Sequence, residues 1–195
     1  MKNTHRKTKA SPALSFPPAY TVVAADLSLR APGFCVLKVE TKDGKPTITS
    51  VSTSSLNRKA EKVPHGDLLN GIMQHLQALI QNEDPKTTFF VREAAFNSRA
   101  AQSEIGIFEG VGITNWVLWK FGAQWEQIYP VSVKKLIAGS GKADKQQVAD
   151  SLKGYLGDHE YHSDDESDAA AVGVAWLIQH KQIPSLQEEQ HERDA

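Results

Sequence analysis

One cysteine, Cys35, stands in a chain of 195 residues, so no intramolecular disulfide framework holds the fold together. Paired cysteines are also missing, and the seven histidines include no pair set with further ligands to make a zinc site of the usual spacing. Nowhere is an apolar run long enough to cross a bilayer, and the first residues lack the apolar core of a signal peptide. These absences predict no membrane partner and a reducing cytoplasm as the setting, bacterial or that of a phage-infected cell. Strong charge of one sign is lacking too, with a formal net charge of -1, so bulk charge does not mark a nucleic-acid binder. Internal repeats are absent.

What remains is enough apolar content, 40%, for one sizeable core. The chain divides into a basic, then proline-rich arm over 1–18, a folded domain over 19–183, and a polar, acidic tail over 184–195. "YTVVAADLS", "GFCVLKVET" and "PTITSVST" read as strands, the last two joined at Asp43-Gly44. "HGDLLNGIMQHLQALIQNE" puts Leu68, Leu69, Ile72, Leu76, Leu79 and Ile80 on one helical face. "TTFFVREAAF" is a fourth strand and "AQWEQIYPV" a fifth. Helices are predicted over 100–121, at "VSVKKLIAG", at "KADKQQVADSLKGYL" and at "DESDAAAVGVAWLIQHK". This order describes an α/β protein, with a three-strand antiparallel meander plus two further strands in a mixed sheet flanked by helices.

Acids punctuate that pattern at telling places. Asp26 ends the apolar part of the first strand and Glu93 ends the fourth, so neighbouring strands would bring both to one sheet edge. Asp165 and Asp168, three residues apart, share a face at the start of the last helix. Four converging carboxylates would repel unless a cation neutralised them, and oxygen-only ligands suit magnesium or manganese. Two such ions about 4 Å apart serve phosphodiester hydrolysis. Taken singly each acid has a plainer reading: Ser163 and Glu166 have capping-box spacing, and acids in a first turn meet the helix dipole favourably. "LIAGSGKAD" is no phosphate loop, since its first glycine is missing and Ala143 stands where a magnesium-binding hydroxyl belongs.

Four segments together resemble the RuvC family of Holliday junction resolvases, within the ribonuclease H-like superfamily. They are "AADLSLRAPGFCVL", "VREAAFNSRAAQSEIGIFEGVGI", "YPVSVKKLIAGSGKADKQQVADSL" and "DESDAAAVGVAWL", spanning most of the chain between its tails. Leu27 and Ser28 depart from the family's Pro-Gly, a divergence common in phage and other viral relatives. The resemblance implies a ribonuclease H-like fold whose fourth and fifth strands run parallel. It also implies a metal-dependent nuclease that cuts four-way junctions by paired nicks, with Asp26, Glu93, Asp165 and Asp168 holding about two magnesium ions (or manganese). Lys134 and Lys145 would lie near the scissile phosphate, with Lys145 stabilising developing charge. Phe96 would stack on bases near the junction centre, or else is an ordinary core aromatic.

A local basic surface is then required, drawn from Arg30, Arg92, Arg99, Lys134, Lys135, Lys142 and Lys145. The helix around Phe108 to Trp119 would help form a homodimer, or is simply buried. Other branched DNA, RNA, or a junction-binding role without useful catalysis are the alternative functions.

Overall fold

The computed structural model describes residues 14–58, 62–94 and 101–188, with the backbone alone at 101–104. Five strands and five helices follow one another as β1 (Ala19–Asp26), β2 (Gly33–Lys42), β3 (Lys45–Ser55), α1 (His65–Ile80), β4 (Thr88–Glu93), α2 (Ala101–Phe121), β5 (Glu126–Ile128), α3 (Pro130–Ala138), α4 (Lys145–Leu156) and α5 (Asp164–Gln179). The sheet order is β3-β2-β1-β4-β5. β1, β2 and β3 form the antiparallel meander, and β4 and β5 add parallel to β1. Asp43 and Gly44 make the two-residue turn between β2 and β3, both with positive φ, as a twist-matched hairpin requires. β5 is shorter than the sequence pattern suggests, because Pro130 sets the first turn of α3 and draws the chain out of the sheet.

Alternation along β1 divides the core. Tyr20, Val22 and Ala24 face α3, α4 and α5, while Val23 and Ala25 face α1 and α2. With both faces covered, β1 is buried almost throughout. α5 lies directly on β1 and β2, and its residues from Ala169 to Ile178 are all buried. Small side chains permit that approach: a Cβ on Gly173 would come within 3.0 Å of Leu37 and 3.1 Å of Ala24. Ser163 caps the helix, its Oγ accepting from the Glu166 amide at 3.3 Å, a contact worth ~1 kcal/mol.

The two expected tails take part in this core where they are described. Phe16 packs its ring against Tyr20, Phe89, Trp176 and His180. Past α5, Ser185 is buried and the Leu186 amide donates to the Tyr155 hydroxyl at 2.9 Å. Among the described residues no helix is long and apolar enough to cross a membrane.

Candidate active site

Parallel pairing of Ala25 with Arg92 carries β1 and β4 one step further to Asp26 and Glu93. Both acids continue the series that faces α5, Val22 and Ala24 on one strand and Phe89 and Val91 on the other. They therefore emerge side by side where the sheet ends. α5 begins over the same edge and brings in Asp168; α3 contributes Pro130, Val133 and Lys134; α4 contributes Lys145 and Val148. These residues, with Ala171, line a cleft of about 170 Å³. A larger cavity of about 560 Å³ between α1 and α2 is walled mainly by Leu69, Met73, Ile113 and Trp116, and carries no such group of acids.

The cleft is electrostatically loaded. Burial, then the neighbouring Asp26 and Asp168, push Glu93 up to about 7, against the pull of Lys134 and Lys145. Lys145 donates from Nζ to Asp168 Oδ2 at 2.8 Å. That hydrogen bond raises the ammonium's pKa, outweighing its partial burial. Three carboxylates thus face two ammonium groups, with Val133, Val148 and Ala171 as an apolar wall. Hard oxygen donors and surplus negative charge fit magnesium or manganese. As the side chains stand, no three of the described acids, histidines or cysteine are drawn tightly enough around one point to ligate an ion. Lys145 supplies the counter-charge at Asp168.

Asp165 lies in the first turn of α5, half-buried, and does not line the cleft. Its backbone carbonyl rests on β2: a Cβ at Gly33 would lie 1.8 Å from it, so only glycine fits there. Lys135 is exposed on α3. Lys142 lines a separate polar cavity with Ser140, Gln147, Asp150 and Ser151. Arg30 is exposed in the β1–β2 connection, and its Nη1 donates to the Arg58 carbonyl at 3.3 Å. Phe96 and Arg99 lie outside the described residues.

The family model described as crossover junction endodeoxyribonuclease RuvC matches residues 22–176, from within β1 to near the end of α5. This chain belongs to the RuvC family. A crossover junction endodeoxyribonuclease RuvC from Synechocystis sp. is 24% identical over 147 residues, covering 75% of this chain and 87% of the relative. One from Bradyrhizobium diazoefficiens is 26% identical over 165 residues, covering 85% and 90%. The fold is also that of Thermus thermophilus RuvC, solved in complex with a Holliday junction substrate (TM-score 0.67, 18% identity, 80% of this chain and 92% of that one). The fowlpox virus Holliday junction resolvase shares it more loosely (TM-score 0.51, 10% identity, 82% and 99%). The mixed sheet of this RuvC-family chain is thus the ribonuclease H-like one that the resemblance implies.

Two site residues differ from the sequence pattern. Arg92, expected on a basic surface, is buried, because alternation turns it to the face opposite Glu93. Its Nε has no partner, and burial lowers its pKa. Glu166, expected as half of a capping box, bonds the amide before the cap residue and reaches across to β3. With 2% exposure, its carboxylate accepts from Thr53 Oγ1 at 2.9 Å, Ser55 Oγ at 3.0 Å and the His162 amide at 3.2 Å. The sequence holds one weak signal of this, the run of hydroxyls in "VSTSS" on β3, which puts Thr53 and Ser55 on a single face that a helix covers.

Proposed function

We propose that this chain resolves four-way DNA junctions by paired, symmetric nicks, through divalent-metal-dependent phosphodiester hydrolysis. The convergence of Asp26, Glu93 and Asp168 with Lys134 and Lys145 in one cleft carries the reading, within a family whose relatives are named crossover junction endodeoxyribonucleases. Asp26, Glu93 and Asp168, joined by Asp165 from the same helix turn, are the groups to hold magnesium or manganese, about two ions per site. Such ions supply Lewis-acid activation of the attacking water and charge compensation at the leaving oxygen.

The chain's own groups do the rest. Lys145, held on Asp168, presents a cation to the phosphate oxygens as charge develops, and Lys134 steadies the same phosphate from α3. Val133, Val148 and Ala171 form the apolar side of the cleft, while the Lys145 side chain, 70% exposed, remains open to solvent and to an incoming phosphate. Arg30, Lys135 and Lys142 are exposed and fit phosphate contacts flanking the cleft, to which Phe96 and Arg99 add stacking and charge. A homodimer matches the task, since two-fold symmetry offers one cleft to each of two equivalent strands.

The decisive experiment is a nicking assay on a synthetic four-way junction with and without Mg2+, run beside flaps, Y-forks and RNA hybrids. Symmetric nicks confined to the junction are expected. Asp26→Asn and Glu93→Gln should bind the junction as tightly as the parent while losing cleavage by at least about 100-fold. Robust nicking by both variants would sink the assignment, and preference for a flap or hybrid would transfer it to that substrate.

A further inference from the structure

α5 is asked to hold Asp168, and Asp165 before it, at a fixed distance from Asp26 on β1, yet a helix lying on a sheet through small apolar residues can slide. Apolar contact is non-directional and does not fix a position along the strand. What stops the sliding is visible on the other side of the first turn. The buried Glu166 carboxylate spans from α5 to β3, where Thr53 and Ser55, two residues apart and so on one face, each donate a hydroxyl. The His162 amide supplies a third bond, and Ser163 links into the same group by donating to Ser55 Oγ at 3.1 Å. His159 Nε2 lies 3.0 Å from Thr53 Oγ1 and holds that hydroxyl from the preceding loop.

β3 is joined through β2 to β1, the strand that ends in Asp26. On β2, Gly33 is the cross-strand partner of Ser55, and the Asp165 carbonyl is seated against it. The first turn is therefore held at two neighbouring points of the sheet, by contact at Gly33 and by charge-assisted hydrogen bonds at Glu166.

We infer that Glu166 is a positioning residue for the metal-binding acids: it pins the first turn of α5 to β3 and so sets where Asp165 and Asp168 stand relative to Asp26 and Glu93. This rests on the metal-binding role proposed above for the cleft. A carboxylate buried at this depth is a costly means of joining helix to sheet, and it returns a fixed register that apolar packing does not give. Groups that orient metal ligands without touching the ion typically change metal affinity by about 10- to 100-fold when removed.

The test uses the full chain without DNA, with Mn2+ as the probe. Mn2+ binding is followed by electron paramagnetic resonance for the parent, Glu166→Ala, Glu166→Gln and Asp168→Asn, beside the Mg2+ concentration that half-saturates junction cleavage. Glu166→Ala should weaken Mn2+ binding by about tenfold or more and raise the half-saturating Mg2+ in step, with junction binding in Ca2+ unchanged. Glu166→Gln, whose amide oxygen still accepts, should recover most of the loss, whereas a purely structural role would lower thermal stability without moving either metal readout.

Unchanged Mn2+ affinity in folded Glu166→Ala overturns the inference. Should that variant fail to fold, Thr53→Val removes one of the three donors and should give a smaller loss in the same direction; no loss there overturns it equally. Loss in Asp168→Asn but not in Glu166→Ala defeats the inference alone. Undiminished Mn2+ binding by Asp168→Asn defeats the metal assignment of the cleft, and the inference with it.

Discussion

Glu93 shows how a single side chain reports on its site. Its ordinary carboxylate value of 4.5 is raised to about 7 by burial and by two neighbouring acids. The metal-free folded chain therefore keeps a proton on Glu93 across that interval, where the unfolded chain has already released it. Because the unfolded state binds fewer protons there, stability falls as pH rises from 4.5 to about 7. Denaturant unfolding of the metal-free protein at a series of pH values should show this decline, and Glu93→Gln should flatten it; an unaltered slope in the variant would assign the decline to another group. Binding a divalent cation should in turn release a proton from Glu93 in the same interval. Position by position, Asp26 and Glu93 were legible because strand alternation and the end of an apolar run are local patterns. Glu166 was not, because its partners Thr53 and Ser55 are more than a hundred residues away in the chain.

Among the elements, α2 has the most ambiguous apolar pattern. Its apolar residues run around most of the helix, a pattern that fits a buried helix and an interface helix alike. The structure turns the small face inward: Gly106, Gly110, Thr114 and Val117 are buried, and a Cβ on Gly106 would meet Leu29 at 3.0 Å. Phe108, Trp116 and Trp119 are left at 52%, 44% and 72% exposure, more aromatic surface than one helix turns to water without a partner. This arrangement supports the proposed homodimer through α2. Phe108→Glu with Trp119→Glu should leave the melting temperature of the separated chain nearly unchanged and weaken self-association by ~2 kcal/mol, about 30-fold in dissociation constant. Sedimentation across a dilution series measures it, and a parent that sediments as a monomer at every concentration excludes the dimer. α5 poses the contrasting case, because its unbroken apolar run from Ala169 predicts burial without naming the neighbour.

At the scale of the whole molecule, the net charge of -1 means that any attraction to DNA is local. Arg30, Lys134, Lys135, Lys142 and Lys145 come from the β1–β2 connection, α3, the α3–α4 connection and the start of α4, segments that surround or adjoin the cleft. Junction binding should therefore fall steeply with salt, with a log–log slope of about -0.9 for each phosphate contacted. Replacing Lys142 by Ala should reduce that slope by about one phosphate contact while leaving the choice of junction over duplex intact. Filter binding or fluorescence anisotropy from low to moderate NaCl gives the slope, and a value near zero would deny phosphate a leading part.

The sequence by itself determined the meander, the alternation of later strands with helices, the acids at two strand ends and the acidic pair opening α5. Each of these is written in short-range periodicity and in the residue types that end a strand or start a helix. Only the tertiary structure decided that Lys145 rests on Asp168, that Arg92 is turned inward, that the Asp165 carbonyl sits against Gly33, and that Glu166 crosses to β3. Those outcomes depend on which helix packs over which strand and at what register. Which helix lies on which strand follows the fit of Gly173 and the alanines of α5 against Leu37 and Ala24. The register follows the contacts of the first turn of α5 at Gly33, Thr53 and Ser55, all between segments that no local pattern relates.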